Sequence, residues 1–194
     1  MRLVLIMLKI LKFNFFWLFY ATCLILFSLT IFSNWVLMVC IWFGLFFTFR
    51  ITKLESKLLT KEHQLYLNTV LLYPLAETWI KWGMVKQNAY LSVFWLNRLE
   101  HFCWSVAIVL IFLPVFTQIY KNLTWWQNLV CVISFICLVG NLNEFFEYFV
   151  RLQLNLTNSQ QFAFYYWDTI YDMMMNLIGS SVGFLVLQWN AKLP

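Results

Sequence analysis

The sequence predicts an all-α fold: a polytopic membrane protein, a bundle of about six transmembrane helices. Three observations carry that prediction. Hydrophobic residues make up 63% of the 194 and charged residues only 11%, with a mean hydropathy of +0.75, which no soluble domain with an ordinary hydrated surface sustains. The apolar residues fall in runs close to the roughly 20 residues that a helix needs to cross a hydrocarbon core. The few charges gather between those runs, apart from two polar stripes near the C-terminus.

Taken in chain order, residues 13–32 form the first predicted span, too long for a signal-peptide core and read as the first membrane anchor. Asn34 marks a tight turn into the second, 35–51. A charged segment, 53–63, follows and divides the chain into an N-terminal transmembrane hairpin with its cytoplasmic loop (1–64) and a four-helix membrane domain (65–194). The third span, 65–82, carries Pro74, Glu77 and Lys81, so it is expected to be tilted, kinked or partly re-entrant. The fourth, 96–120, contains Pro114; the fifth runs over 126–150 and the sixth over 164–187. There is no internal repeat and no low-complexity linker.

The basic residues set the expected orientation. Arg2, Lys9, Lys12, Arg50, Lys53, Lys57, Lys61, Lys121 and Lys192 all fall on one side of six spans, which the positive-inside rule makes cytoplasmic, with both termini. Lys81, Lys86, Arg98 and Arg151 fall mainly on the other. Trp35, Trp95, Trp125, Trp126 and Trp189 suit the interfaces as aromatic anchors.

Other classes are excluded or disfavoured. The five Cys lie in apolar runs with no CxxC or Cys/His ligand spacing, so they read as small buried hydrophobes rather than disulfides or zinc ligands. No phosphate loop, nucleophile motif or nucleic-acid patch is present. The net charge of +5 is accounted for by the cytoplasmic flanks, where the 53–63 loop would meet anionic head groups. The Met run at 173–175 and the Phe-rich hairpin read as lipid-facing or packing residues, and the sequons at 122–124 and 155–157 are too short to argue from.

The polar stripes carry the chemistry. Gly140, Glu144, Glu147 and Arg151 step by four, three and four along the fifth span; Asp168, Asp172, Asn176, Gly179 and Gly183 do the same along the sixth. Such steps place residues on one helix face. Asn97, His101 and Ser105 line up on the fourth span, beside Arg98. Gly179 and Gly183 permit close helix approach on the face that bears the acids. Given the expected topology, His101, Glu144, Glu147, Asp168 and Asp172 share one depth in the outer leaflet, with Glu144 about 9 Å below the end of its span. Carboxylates at membrane depth are costly and mark functional sites by default. They also serve as ion-pair locks between helices, with Arg98 and Arg151 as partners, so a packing role competes with a functional one. Glu77 is a further candidate member.

The phrases NRLEHF at 97–102, NEFFEYFVR at 143–151 and YYWDTIYDMMMNLIGSSVGF at 165–184 resemble the ordered pattern of the VanZ-like membrane proteins, and more closely their bacterial inner-membrane relatives of the YjdF type. That pattern is Asp-Arg-x-x-His-Phe, a Glu-x-x-Glu helix, then Asp-Thr-x-x-Asp followed by Asn and Gly. The resemblance covers roughly the C-terminal half. It implicates Arg98, His101, Glu144, Glu147, Asp168, Asp172, Asn176 and Gly179, with Asn97 standing where the pattern has Asp. It implies a bacterial inner-membrane protein, VanZ itself being associated with glycopeptide (teicoplanin) resistance.

Three functions compete on this reading. One is an intramembrane enzyme on a lipid-linked or envelope substrate, in which His101, Glu144, Glu147, Asp168 and Asp172 are the candidate catalytic residues and the candidate ligands of a divalent metal ion, supported by Arg98, Asn176 and Gly179. The second is a proton- or cation-coupled transporter. The third is a non-catalytic scaffold whose polar cluster fixes packing. Expected partners are membrane lipids and no nucleic acid.

Overall fold

The computed structural model describes residues 2–31, 33–86, 94–153 and 159–191. Among these the chain is almost wholly helical: α1 (Arg2–Ile31), α2 (Ser33–Ile51), a single 3-10 turn (Glu55–Lys57), α3 (Thr60–Lys86), α4 (Phe94–Ile111), α5 (Leu113–Ile119), α6 (Trp125–Gln153) and α7 (Ser159–Ala191). The sequon at 155–157, Lys192 and the side chains of Arg2, Lys9, Lys12, Lys86 and Arg151 lie outside the described residues. Among the described residues two helices are long and apolar enough to cross a membrane alone, Trp125–Phe149 and Tyr166–Asn190. A bent pair, Trp95–Ile111 with Leu113–Ile119, makes a third if it counts as one span, and Asn14–Leu29 and Trp35–Ile51 are shorter apolar helices.

The two prolines behave differently, and local partners explain why. The predicted span 96–120 divides at Phe112 into α4 and α5, bent by 54°. Pro114 has no N–H and its ring crowds the carbonyl four residues back, so it opens a new helix more easily than it continues the old one. Pro74 instead sits inside an unbroken α3. The carbonyl that it leaves without an intrahelical donor is that of Val70, and the Trp42 indole N–H donates to it at 3.3 Å. The Tyr20 hydroxyl donates to the Leu71 carbonyl at 2.6 Å, and Thr78 donates back to the Pro74 carbonyl at 2.6 Å. The carbonyl freed by Pro74 and the one that follows it thus become the points at which α2 and α1 grip α3. The Trp35 indole adds a bond to Thr78 Oγ1 at 2.8 Å.

The starts of α3 and α6 are capped by side chains. Thr124 and Gln127 form a reciprocal capping box at α6, with Thr124 N–H donating to Gln127 Oε1 (2.8 Å) and Gln127 N–H to Thr124 Oγ1 (3.4 Å). Glu62 accepts from the Leu59 N–H at 2.8 Å at the start of α3. In the α2–α3 connection Glu55 is buried and pairs with Arg50 at 3.1 Å. Burial pushes its carboxyl above the usual range, while Arg50 and His63 pull it part of the way back.

An aromatic core, including Trp17 on Phe46 (centroids 4.8 Å apart) and Trp42 on Tyr73 (4.5 Å), joins α1, α2 and α3. The other half is built on α7, which packs most extensively against α4 and next against α6; α3 also packs on α4 and links the halves. Glycine makes the α4–α7 approach possible. A Cβ on Gly179 would lie 2.6 Å from the Phe102 carbonyl oxygen and 2.9 Å from Ser105 Cβ, and one on Gly183 would lie 3.0 Å from Val109 Cβ.

Gly179→Ala should therefore force α4 and α7 apart and lower stability by ~1–3 kcal/mol. Gly83→Ala, whose Cβ would meet nothing within 4 Å, should be neutral or stabilising by up to ~1 kcal/mol. Thermal unfolding of both variants in detergent checks the contrast.

Candidate functional site

The close approach of α4 and α7 brings a polar centre together inside the bundle. Arg98, on the first turns of α4, is 7% exposed and reaches across to α7. Its Nη2 contacts Asp168 Oδ1 at 2.7 Å and its Nη1 contacts Asp172 Oδ1. The spacing of four between the two acids sets both carboxylates on the face that one guanidinium fork can span. Tyr171 lies between them in sequence, and its ring centroid is 5.2 Å from the Arg98 guanidinium carbon. Asn97 Nδ2 donates to Asp172 Oδ1 at 3.2 Å and to Asp168 Oδ1 at 3.4 Å. An amide at this position supplies a donor to two carboxylates, where an Asp would add a third like charge.

The second oxygen of Asp172 faces His101, whose Nε2 lies 3.4 Å away. Glu144 comes from α6 to the same place, fixed by the Thr169 hydroxyl that donates to its Oε2 at 3.1 Å. His101, Glu144 and Asp172 each offer one ligand atom, and the three atoms lie within 4.8 Å of one another. Asp172 is 2% exposed and Glu144 8%, and the His101 side chain is 11% exposed. Zinc or manganese bonds of about 2.1 Å put tetrahedral donors about 3.4 Å apart, so a small rotamer adjustment would close the set on an ion.

The five residues expected from the stripes therefore divide. Three converge: His101, Glu144 and Asp172. Asp168 is held by Arg98 and Asn97 at the edge of the centre. Glu147 accepts from Asn143 at 3.0 Å and lies within electrostatic range of His101, Lys81 and Asp172, without joining the ligand triad. Among the supporting residues, Arg98 pairs with the α7 acids. Asn176 accepts from the Ser105 hydroxyl at 2.8 Å and packs on Gly140, and Gly179 provides the close contact with α4.

Glu77 lies elsewhere, in a neighbouring buried group that the stripes do not contain. Glu77, 1% exposed, lies within electrostatic range of Glu100, which in turn is paired with Lys81. Glu100 was missed because it lies off the Asn97, His101 and Ser105 line of its helix, and Lys81 because its own span carries no polar stripe. The step of four from Glu77 to Lys81 on α3 was the one available signal.

Because Arg98 and Asp172 are buried together, the costs of removing them should not add. Arg98→Met or Asp172→Leu alone should each lower stability by ~3–5 kcal/mol, and the double variant by clearly less than the sum. A double-mutant cycle by unfolding in detergent measures this coupling; additive losses would mean the pair contributes nothing.

No curated protein matches the chain, and neither does any solved structure. A family model does, over residues 3–192. That match spans both the α1–α3 half and the half that carries the polar centre, and it agrees with the long apolar helices. The chain belongs to the family described as predicted membrane protein (DUF2238).

Proposed function

We propose that this membrane protein binds a divalent cation at His101, Glu144 and Asp172 and uses it on a lipid-linked or envelope substrate. The observation that carries the reading is the convergence of three ligand atoms, from three helices, within 4.8 Å. One imidazole and two carboxylates suit Zn²⁺ or Mn²⁺. A cation held there would polarise a phosphoryl or carbonyl oxygen of a head group, or lower the pKa of a bound water. Arg98 would keep Asp172 oriented by holding its other oxygen, the role that outer partners of metal ligands commonly play.

The proposal includes the topology. Six membrane-crossing segments, α1, α2, α3, α4 with α5, α6 and α7, put the basic flanks and both termini in the cytoplasm of a bacterial inner membrane and the polar centre near the outer leaflet. The division into an N-terminal hairpin and a four-helix domain belongs to the same reading, and so does kinship within the family to VanZ-like and YjdF-type proteins, which rests on the ordered pattern around Arg98, Glu144 and Asp168. A role in lipid metabolism or glycopeptide resistance follows from that kinship alone.

One observation favours a second reading, a proton- or cation-coupled transporter. Glu77, Glu100 and Lys81 continue the titratable groups from the α4–α6–α7 centre into α3, and such chains of buried acids serve as ion paths in transporters.

Equilibrium dialysis of the purified protein against Mn²⁺ separates these. We expect one ion per chain, with Glu144→Gln and Asp172→Ala binding at least about 100-fold more weakly, as loss of even an outer partner costs 10–100-fold. His63→Gln should bind as the intact chain does. Absence of binding would leave the transporter and the scaffold, and unchanged phenotype of Asp172→Asn at normal protein levels would then favour the scaffold.

A further inference from the structure

Beside the polar centre, α6 and α7 enclose a groove of about 310 Å³ whose lining includes Cys137, Met173, Met174 and Leu177 together with two amides, Asn141 and Asn176. Met173, Met174 and Leu177 are 40%, 48% and 49% exposed, so the groove opens on the outer surface of two helices that are apolar enough to cross a membrane. With these helices across a membrane, its surroundings would be hydrocarbon. The amides are out of place there. Asn176 is 2% exposed, and only its Oδ1 is hydrogen-bonded, to Ser105; among the described residues its Nδ2 and the whole Asn141 amide make no hydrogen bond. Amide donors in a water-free apolar wall cost free energy unless an acceptor reaches them.

The required occupant is long and apolar, with a hydrogen-bond acceptor at one end. We infer that the groove holds an acyl chain of a glycerophospholipid, an ester carbonyl of which accepts from Asn141 and Asn176. Flexible methionines suit a chain of variable shape. Asn176 is one turn from Asp172, and Asn141 is three residues from Glu144, so the lipid's head group is brought to the His101–Glu144–Asp172 centre. This deepens the proposed function by naming the substrate class, and it rests on that reading only for what the centre does to the head group. An isoprenoid carrier has no carbonyl at this position and leaves the amides without a partner.

Native mass spectrometry of protein released from mild detergent tests the inference. The intact chain should retain one glycerophospholipid. Asn141→Leu should reduce the retained fraction about fivefold, the factor that a hydrogen bond of ordinary worth carries. Met174→Trp, which fills the groove from a half-exposed position, should abolish retention while the protein stays folded by circular dichroism. Equal retention in Met174→Trp, retention of an isoprenoid lipid in place of a phospholipid, or no lipid on the intact chain would each overturn it. Mn²⁺ binding on the same samples is expected to survive Met174→Trp; its absence from the intact chain would sink the cation reading and leave the lipid result standing.

Discussion

A charge buried among apolar helices persists only where an opposite charge and enough hydrogen bonds meet it. The Arg98 pairing with Asp168 and Asp172 satisfies that condition, and much of the C-terminal half is arranged around it. The guanidinium reaches both acids only because α4 and α7 approach closely, which in turn requires no side chain at Gly179 and Gly183. Ser105 and Asn176 extend the same seam with a hydrogen bond one turn further along. With one oxygen of Asp172 committed to Arg98, the other is left facing His101, and Glu144 arrives beside them from α6. Helix packing and the assembly of the polar centre are two consequences of one contact.

The same logic operates with neutral groups in the N-terminal half. Pro74 strips a donor from the Val70 carbonyl, and Trp42 replaces it. A feature that weakens α3 on its own thereby ties α3 to α2, with Tyr20 from α1 completing the join. Among the described residues no side chain donates to the Leu110 carbonyl that Pro114 leaves, and there the helix divides.

Much of the helical layout was legible from hydropathy, because a span must be long, apolar and bounded by charge. The division at Phe112 was not, since a proline's effect depends on whether a partner elsewhere in the fold meets the carbonyl it frees. The stripes on α6 and α7 were legible because steps of three and four fix a face whatever the tertiary structure. What they could not tell was which members of a stripe meet. Asp168 and Asp172 share a face, yet the side chain of one ends beside Asn97 and Arg98 while the other also reaches His101. Glu144 and Glu147 share a face, yet only Glu144 joins the group with His101 and Asp172. Lys81 had only its step of four from Glu77 and Glu100 lay off the polar stripe of its helix, and only the packing of α3 on α4 makes them a pair.

The chain has two histidines, His63 at the start of α3 and His101 in the polar centre, and this makes one spectroscopic measurement decisive. Pulsed electron paramagnetic resonance of Mn²⁺ bound to protein labelled with ¹⁵N at histidine reports whether an imidazole nitrogen coordinates the ion. The account predicts a single directly bound nitrogen, lost in His101→Gln and retained in His63→Gln. A bound ion with no nitrogen coupling, or a coupling that disappears with His63 instead, would contradict it.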